Sequence, residues 1–541
     1  MKGHWRIYSL LAVGALFYLV YPSRIPECDA VIYASAALRG IHEMTFDPGH
    51  LGFGSLEVLA TAAGRAARPP LNPVFILQYL SMAAALAGAY AFYRTLADLG
   101  VARGRATLFT ATLAASYAWW HYALQAEPHM ISTALLMGFL WQSCRTTITP
   151  SARSWAWSGL WLGLATLMHQ KNILLVGAAL PAFALATRDL RQSLRGAAAF
   201  LGVLFVVAIL PYLVVGGGVL GLRTAPDFML WIRGLSTWSA WGHWTRSTLP
   251  YTLVGIVRSL VGSHFILGLG PVRETAGRLF PRYSLEDELA IAASVPGSMG
   301  LLLLFLEAGL LGLSGLALLR RAARPGVPGP GGIPLTIFLW AWIAIVGIFA
   351  AWWAPLRAEF WLDFFPPLLV LLALPRAGGR ERTGGPRILA AFALTLALVN
   401  FAGSIRPQSL AALEPESAVA LALDAAVRPG DTVLSDIPFQ GRASRYARAF
   451  VPVDLLGTDF PPGDSGQEVR FRMVDSLLAA AEGAHQSVYV VATPLRSGAD
   501  DQVAFAGLVA ALGERCQTRV TAPVRAGIDL RRITRRPGAA Q

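Results

Sequence analysis

Four short polar segments of this 541-residue chain pair residues able to move a proton or hold an anion with a place beside a long apolar run. In Glu27-Cys28-Asp29-Ala30-Val31-Ile32-Tyr33 two carboxylates are separated by one residue. Such a pair can serve as acid and base or ligate a metal, and Asp29 can equally cap the helix that follows. Glu127-Pro128-His129 joins a carboxylate to an imidazole, a pair able to orient a hydroxyl or a phosphate. Read as local structure, Pro128 is a first-turn proline and Glu127 its cap. His169-Gln170-Lys171 contains one of only two lysines, the other being Lys2. Lys171 is a candidate phosphate ligand, or a lysine snorkelling to the membrane surface. In Arg357-Ala358-Glu359-Phe360-Trp361-Leu362-Asp363 the guanidinium can grip a phosphate with two parallel bonds. It can also pair with Glu359 or Asp363. His50, in Asp47-Pro48-Gly49-His50, could face the same site.

No phosphate-cradling glycine loop, dinucleotide fingerprint, zinc-ligand spacing or nucleophile elbow occurs. Cys28, Cys144 and Cys516 lack metal-type spacing, which leaves only a Cys28–Cys516 disulfide open. No cofactor is called for; a divalent metal at the acidic pair is the one possibility.

The elements that must position these groups follow from composition. Hydrophobic residues make up 55% of the chain and charged ones 14%, with a mean hydropathy of +0.51. Soluble domains carry roughly 25% charged residues, so lipid is the expected solvent. The net charge of +13 is almost wholly arginine, set in clusters between apolar runs, which argues against nucleic-acid binding. With about 20 apolar residues needed per span, candidate spans are 7–21, 73–93, 107–124, 129–144, 155–168, 172–187, 197–217, 297–319, 333–353, 364–375 and 388–404. The first lacks a small-x-small cleavage site and reads as an uncleaved span rather than a signal peptide.

With the N-terminus in the cytoplasm, Lys2/Arg6, Arg94/Arg103/Arg105, Arg145/Arg153, Arg188/Arg191/Arg195, Arg320/Arg321/Arg324 and Arg376/Arg380/Arg382/Arg387 all fall inside. The apolar stretch 250–270 is then not a span but part of a long external loop, 218–296, of interfacial or re-entrant helices, as 22–72 is of two short amphipathic ones, Asp29–Arg39 and Ser55–Ala67. Little charge is expected at mid-span depth. From 405 strand-like runs (432–434, 487–492) alternate with helical ones (415–427, 470–482, 501–513), as in a small α/β domain. The expected fold is thus an α-helical polytopic membrane protein of about eleven transmembrane helices with a C-terminal soluble α/β domain. Residues 1–404 form the membrane domain and 405–541 an extracytoplasmic one. All four polar segments then lie on one membrane face.

The acidic first loop Glu27-x-Asp29-x-x-x-Tyr33, the Glu127-Pro128 turn and the late segment Glu359-Phe-Trp-Leu-Asp-Phe-Phe-Pro-Pro367 resemble the GT-C superfamily of membrane glycosyltransferases, which includes the aminoarabinose transferases and protein O-mannosyltransferases. Leu167-Met-His-Gln-Lys-Asn172 looks like bacterial members. The resemblance implies inverting transfer of a sugar from a polyprenyl-phosphate donor to a lipid, glycan or protein acceptor. Asp29 is then the general base. Glu27-Cys-Asp29 replaces the adjacent Asp-Glu pair of the superfamily, so Glu27 stays open for that role. Arg357 or Lys171 would stabilise the leaving phosphate. His50, Glu127, His129, His169 and Glu359 would complete the substrate and lipid-phosphate site. The arginine-rich composition suggests a high-GC bacterium, hence the inner membrane, with membrane lipids as surroundings. A transporter or lipid flippase, or a non-catalytic scaffold, is the alternative; an enzyme requires the polar segments to converge, a scaffold does not.

Overall fold

In lipid a backbone can satisfy its polar groups only within itself, so the long apolar runs fold as helices. The computed structural model describes residues 5–24, 46–67, 73–187, 189–234, 242–279, 286–322, 332–374, 385–410, 422–435, 451–454, 464–491, 507, 509–513, 516–525 and 528–535. Glu27, Cys28, Asp29 and Tyr33 lie outside them. Contacts divide the chain into a helical unit, drawn from residues 1–23, 43–60 and 75–410, and a second unit that includes 411–541.

Among the described residues, Val74–Asp98, Gln170–Thr187, Leu190–Val219, Gly297–Gly315, Gly332–Trp353 and Pro386–Gln408 are long and apolar enough to cross a membrane. Trp5–Val20 is apolar but shorter. Small residues let these helices approach closely, as is usual where no hydrophobic effect drives them together. A Cβ on Gly159, for example, would stand 2.4 Å from the Phe200 carbonyl oxygen. The core runs through Phe92, Trp119, Phe139, Trp155, Phe338 and Trp342.

Three features depart from expectation. The run 107–124 is not one helix but Arg103–Ala115 and Tyr117–Ala123, broken at an extended Ser116. Ser116 Oγ donates to Leu113 O at 2.7 Å and Asn400 Nδ2 to Ala115 O at 2.7 Å, so the break leaves these carbonyls satisfied. The second loop-one helix covers Leu51–Ala66 rather than starting at Ser55. Asp47 accepts from Gly49 N at 3.0 Å and nucleates a turn at Pro48–His50 that leads straight into it. Mid-span charge is also present: Glu307 is buried within Gly297–Ala322 and bonded to Ser263 Oγ.

The described residues of 218–296 include the short helices Ala225–Arg233, Thr248–Leu260, Gly270–Leu279 and Glu286–Ala293, with a 3-10 turn at His264–Gly268. Thr248–Leu260 lies so close to the loop before Trp361 that a Cβ on Gly255 would stand 1.9 Å from Pro355 O.

In the second unit, β1 (Thr432–Ser435), β2 (Val451–Asp454), β3 (Val488–Val491), β4 (Cys516–Arg525) and β5 (Ile528–Arg535) form one sheet of order β2-β1-β3-β5-β4. β1 is parallel to β2 and β3, and β5 antiparallel to β3 and β4. Phe471, Val474 and Leu478 of the Asp464–Gly483 helix pack on Leu434, Val488 and Val490. Asp431 accepts from Arg428 N at 2.9 Å and Ser487 N at 2.7 Å; it pins β1 to β3 and is structural. The β4–β5 pair was not foreseen, because arginines interrupt it and its buried Leu530 and Ile533 are three residues apart, which breaks the period-two pattern of a strand.

Candidate active site

Turns between helices carry most of the polar residues singled out from sequence. Glu127 takes the N-cap position of Pro128–Ile148, with Pro128 in the first turn. Its side chain makes no cap bond, however, and is buried. Its Oε2 lies 3.9 Å from His129 Nε2. The next residues on that helix face bind across the bundle. Ser132 Oγ accepts from Asn172 Nδ2 at 2.7 Å, and Thr133 Oγ1 donates to Asp363 Oδ1 at 2.6 Å.

The His169 turn brings Lys171 inward. Lys171 Nζ lies 3.2 Å from Asp363 Oδ2 and 4.8 Å from the Phe360 ring centroid, and its side chain is 8% exposed. It does not snorkel. His50 Nδ1 donates to Met168 O at 2.9 Å, which seats the first-loop turn on the 152–168 helix. The rings of His50, His129 and His169 thereby cluster, with centroids 4.5 Å (His50–His169), 5.3 Å (His129–His169) and 5.8 Å (His50–His129) apart. Phe360 lies 6.2 Å from His129 and 6.0 Å from His169.

Arg357 Nη1 is 3.4 Å from Glu359 Oε1, the pairing the local reading allowed. Glu359 is buried, and Tyr122 Oη donates to its other oxygen at 2.7 Å. Tyr122 in turn lies 5.5 Å from His129, ring to ring. The end of the first span also reaches this region, since Gln125 Nε2 donates to Ser23 Oγ at 3.2 Å.

His50, Glu127, His129, His169, Lys171, Arg357 and Glu359 are therefore linked through one chain of contacts. Asp29 and Glu27 lie outside the described residues. Sequence reasoning passed over Tyr122, Thr133, Phe360 and Asn172; single polar or aromatic residues inside apolar runs carry no motif, though all four lie within six residues of one that was chosen. Burial, and then the Lys171 charge, hold the His169 imidazole well below its ordinary range, so it is neutral at pH 7. Among the described residues no group of three His, Cys, Asp or Glu is placed to hold a metal ion. Glu27 and Asp29, the acidic pair able to ligate a metal, lie outside the described residues.

A further acid lies on the loop-one helix, outside the spans. Glu57 is 2% exposed, one turn from Phe53 on the buried face. Burial, and secondarily the Asp47 charge, push its carboxyl up to about 9. An unfolded chain releases that proton near 4.5, so the folded state holds one more proton between the two values. Stability from this group is complete below about pH 4.5 and is lost as pH rises towards 9. Glu57→Gln should therefore raise the detergent-solubilised Tm at about pH 8 and leave it unchanged at about pH 4.5. Equal shifts at both pH values would refute the assignment.

Comparison with known proteins agrees with this architecture. Residues 69–214 match the family model described as dolichyl-phosphate-mannose-protein mannosyltransferase. No curated protein matches the chain by sequence at a significant level. The structure is similar to that of ArnT from Cupriavidus metallidurans bound to undecaprenyl phosphate, with a TM-score of 0.58 at 13% identity over 97% of each chain. The apo form of the same protein gives 0.51 at 14%, again over 97% of each chain. The chain thus shares the fold of ArnT, with six helices among the described residues long and apolar enough to cross a membrane.

Proposed function

We propose that this protein is an inverting membrane glycosyltransferase that takes its sugar from a polyprenyl-phosphate donor on the extracytoplasmic face of a bacterial inner membrane. In this reading the chain crosses the membrane about eleven times, with the N-terminus in the cytoplasm and residues 405–541 outside. The observation that carries it is the convergence of Glu127, His129, His169, Lys171, Arg357 and Glu359 from three separate turns. The solved structure with the same fold, ArnT, is bound to undecaprenyl phosphate, a donor carrier of the kind proposed here.

The acceptor hydroxyl attacks the anomeric carbon as the bond to the lipid phosphate breaks. Asp29, or Glu27 beside it, takes the hydroxyl proton, and the departing phosphate gains charge. Arg357 suits that charge. Its side chain is 30% exposed and its contact with Glu359 is long, while Glu359 keeps the Tyr122 bond if the guanidinium turns away. Lys171, fixed by Asp363, adds a nearby positive charge whose position needs no reorganisation during the reaction. Residues 405–541 would recognise the acceptor.

Transfer from radiolabelled polyprenyl-phosphate sugars should be seen with the wild type. It should fall by about 10²- to 10⁴-fold in a stably folded Asp29→Asn, the usual weight of a general base. Undiminished transfer would move the base to Glu27. No transfer with any donor, despite undecaprenyl phosphate binding, would favour a transporter or scaffold.

A further inference from the structure

The seven linked residues divide into a charged part and an uncharged one. Lys171 is met by Asp363 and Arg357 by Glu359. The imidazoles of His129 and His169 have a different character. His129 is 4% and His169 8% exposed, yet His129 Nδ1 and both ring nitrogens of His169 have no hydrogen-bond partner among the described residues. Buried polar atoms are normally satisfied, so three orphans within two touching rings are a destabilising feature with a ligand's shape.

The chemistry of a neutral imidazole restricts that ligand. One nitrogen donates and the other accepts, whichever tautomer is present. An ionised phosphodiester offers acceptors only, so it could serve the N–H of His169 but would set an oxygen against the lone pair. Hydroxyl groups both donate and accept. A metal would take lone pairs, but the described donors do not converge on a common point.

We infer that His129 and His169 form the subsite for the hydroxyl groups of the donor's sugar ring, and that the lipid phosphate is held elsewhere. This rests on the glycosyltransferase reading. It separates the site into a sugar-reading pair of imidazoles and a phosphate-holding end at Arg357, with Glu127 beside His129 as a further acceptor for sugar hydroxyls. The pair therefore selects among sugars, whereas the charged end is indifferent to which sugar the lipid carries.

The test compares wild type with His169→Phe, which keeps a ring and removes both nitrogens, and with His169→Gln, which keeps a donor and an acceptor. Undecaprenyl phosphate should bind His169→Phe within about twofold of wild type. Transfer kcat/KM should drop on the order of 10- to 100-fold, the worth of one or two hydrogen bonds, and recover in part in His169→Gln. A deoxy-sugar donor that is poor for wild type should be no poorer than its parent for His169→Phe. The ligand-free Tm of His169→Phe should be equal to or above that of wild type, since no bond is lost.

A tenfold loss of undecaprenyl phosphate binding in His169→Phe would overturn the inference in favour of a phosphate contact. Unchanged transfer would show the nitrogens to be satisfied by water alone and overturn it too. So would wild-type transfer that EDTA abolishes and zinc restores, with that response absent in His169→Phe. If the wild type transfers no sugar at all, the glycosyltransferase reading fails first, which is a distinct result from transfer that ignores His169.

Discussion

Arg357→Ala is expected to lower kcat for sugar transfer by about 10²- to 10³-fold, the range found when one preorganised stabiliser of developing negative charge is removed. The reason lies in how Arg357 is held. Its side chain remains 30% exposed, and its contact with Glu359 is long at 3.4 Å. Glu359 is buried and would lose this counter-charge, but it keeps the Tyr122 hydrogen bond, so the Tm of Arg357→Ala should fall by less than that of Lys171→Met. Arg357→Lys should recover only part of the activity, because an ammonium supplies a charge without the planar fork that grips two phosphate oxygens. Affinity for undecaprenyl phosphate, measured alongside, should weaken in both variants. A loss of Tm matching the loss of activity would reassign Arg357 to a structural pair. Full activity would remove it from the site.

Lys171→Met is expected to act mainly on stability. Both members of its pair are nearly inaccessible, at 8% and 3% side-chain exposure, and Asp363 accepts from Thr133 as well. Removing the cation leaves a buried carboxylate short of its counter-charge, which costs about 3–5 kcal/mol where such pairs have been broken. A fall of several degrees in the detergent Tm should follow. The double variant Lys171→Met/Asp363→Leu should regain most of it, since replacing a whole buried pair with apolar groups is often near neutral. The cycle separates the worth of the pair from the penalty of orphaning one half. Two independent losses that simply add would show that the 3.2 Å contact is not energetically coupled.

Much of this could be read from the chain. Apolar runs bounded by arginine clusters marked where most of the helices lie, because lipid leaves the backbone no other choice, but not their ends: 107–124 breaks at Ser116. The same runs set Glu127-Pro128, His169-Lys171 and Arg357-Glu359 in turns. The α/β character of the C-terminal part was also visible, from β1 and β3. Local sequence could not say which polar residues would meet. Lys171 had a snorkelling reading and a ligand reading of similar standing, and only the packing of helices brought it to Asp363, nearly two hundred residues away. Glu127 illustrates the converse: its N-cap position follows from Pro128, but that its side chain leaves the cap unmade depends on His129 and the surrounding bundle. The orphan nitrogens of His129 and His169, and the high carboxyl of Glu57, are tertiary properties altogether. A sequence lists donors and acceptors; whether each one finds a partner or is shut away from water is decided by the residues that close around it.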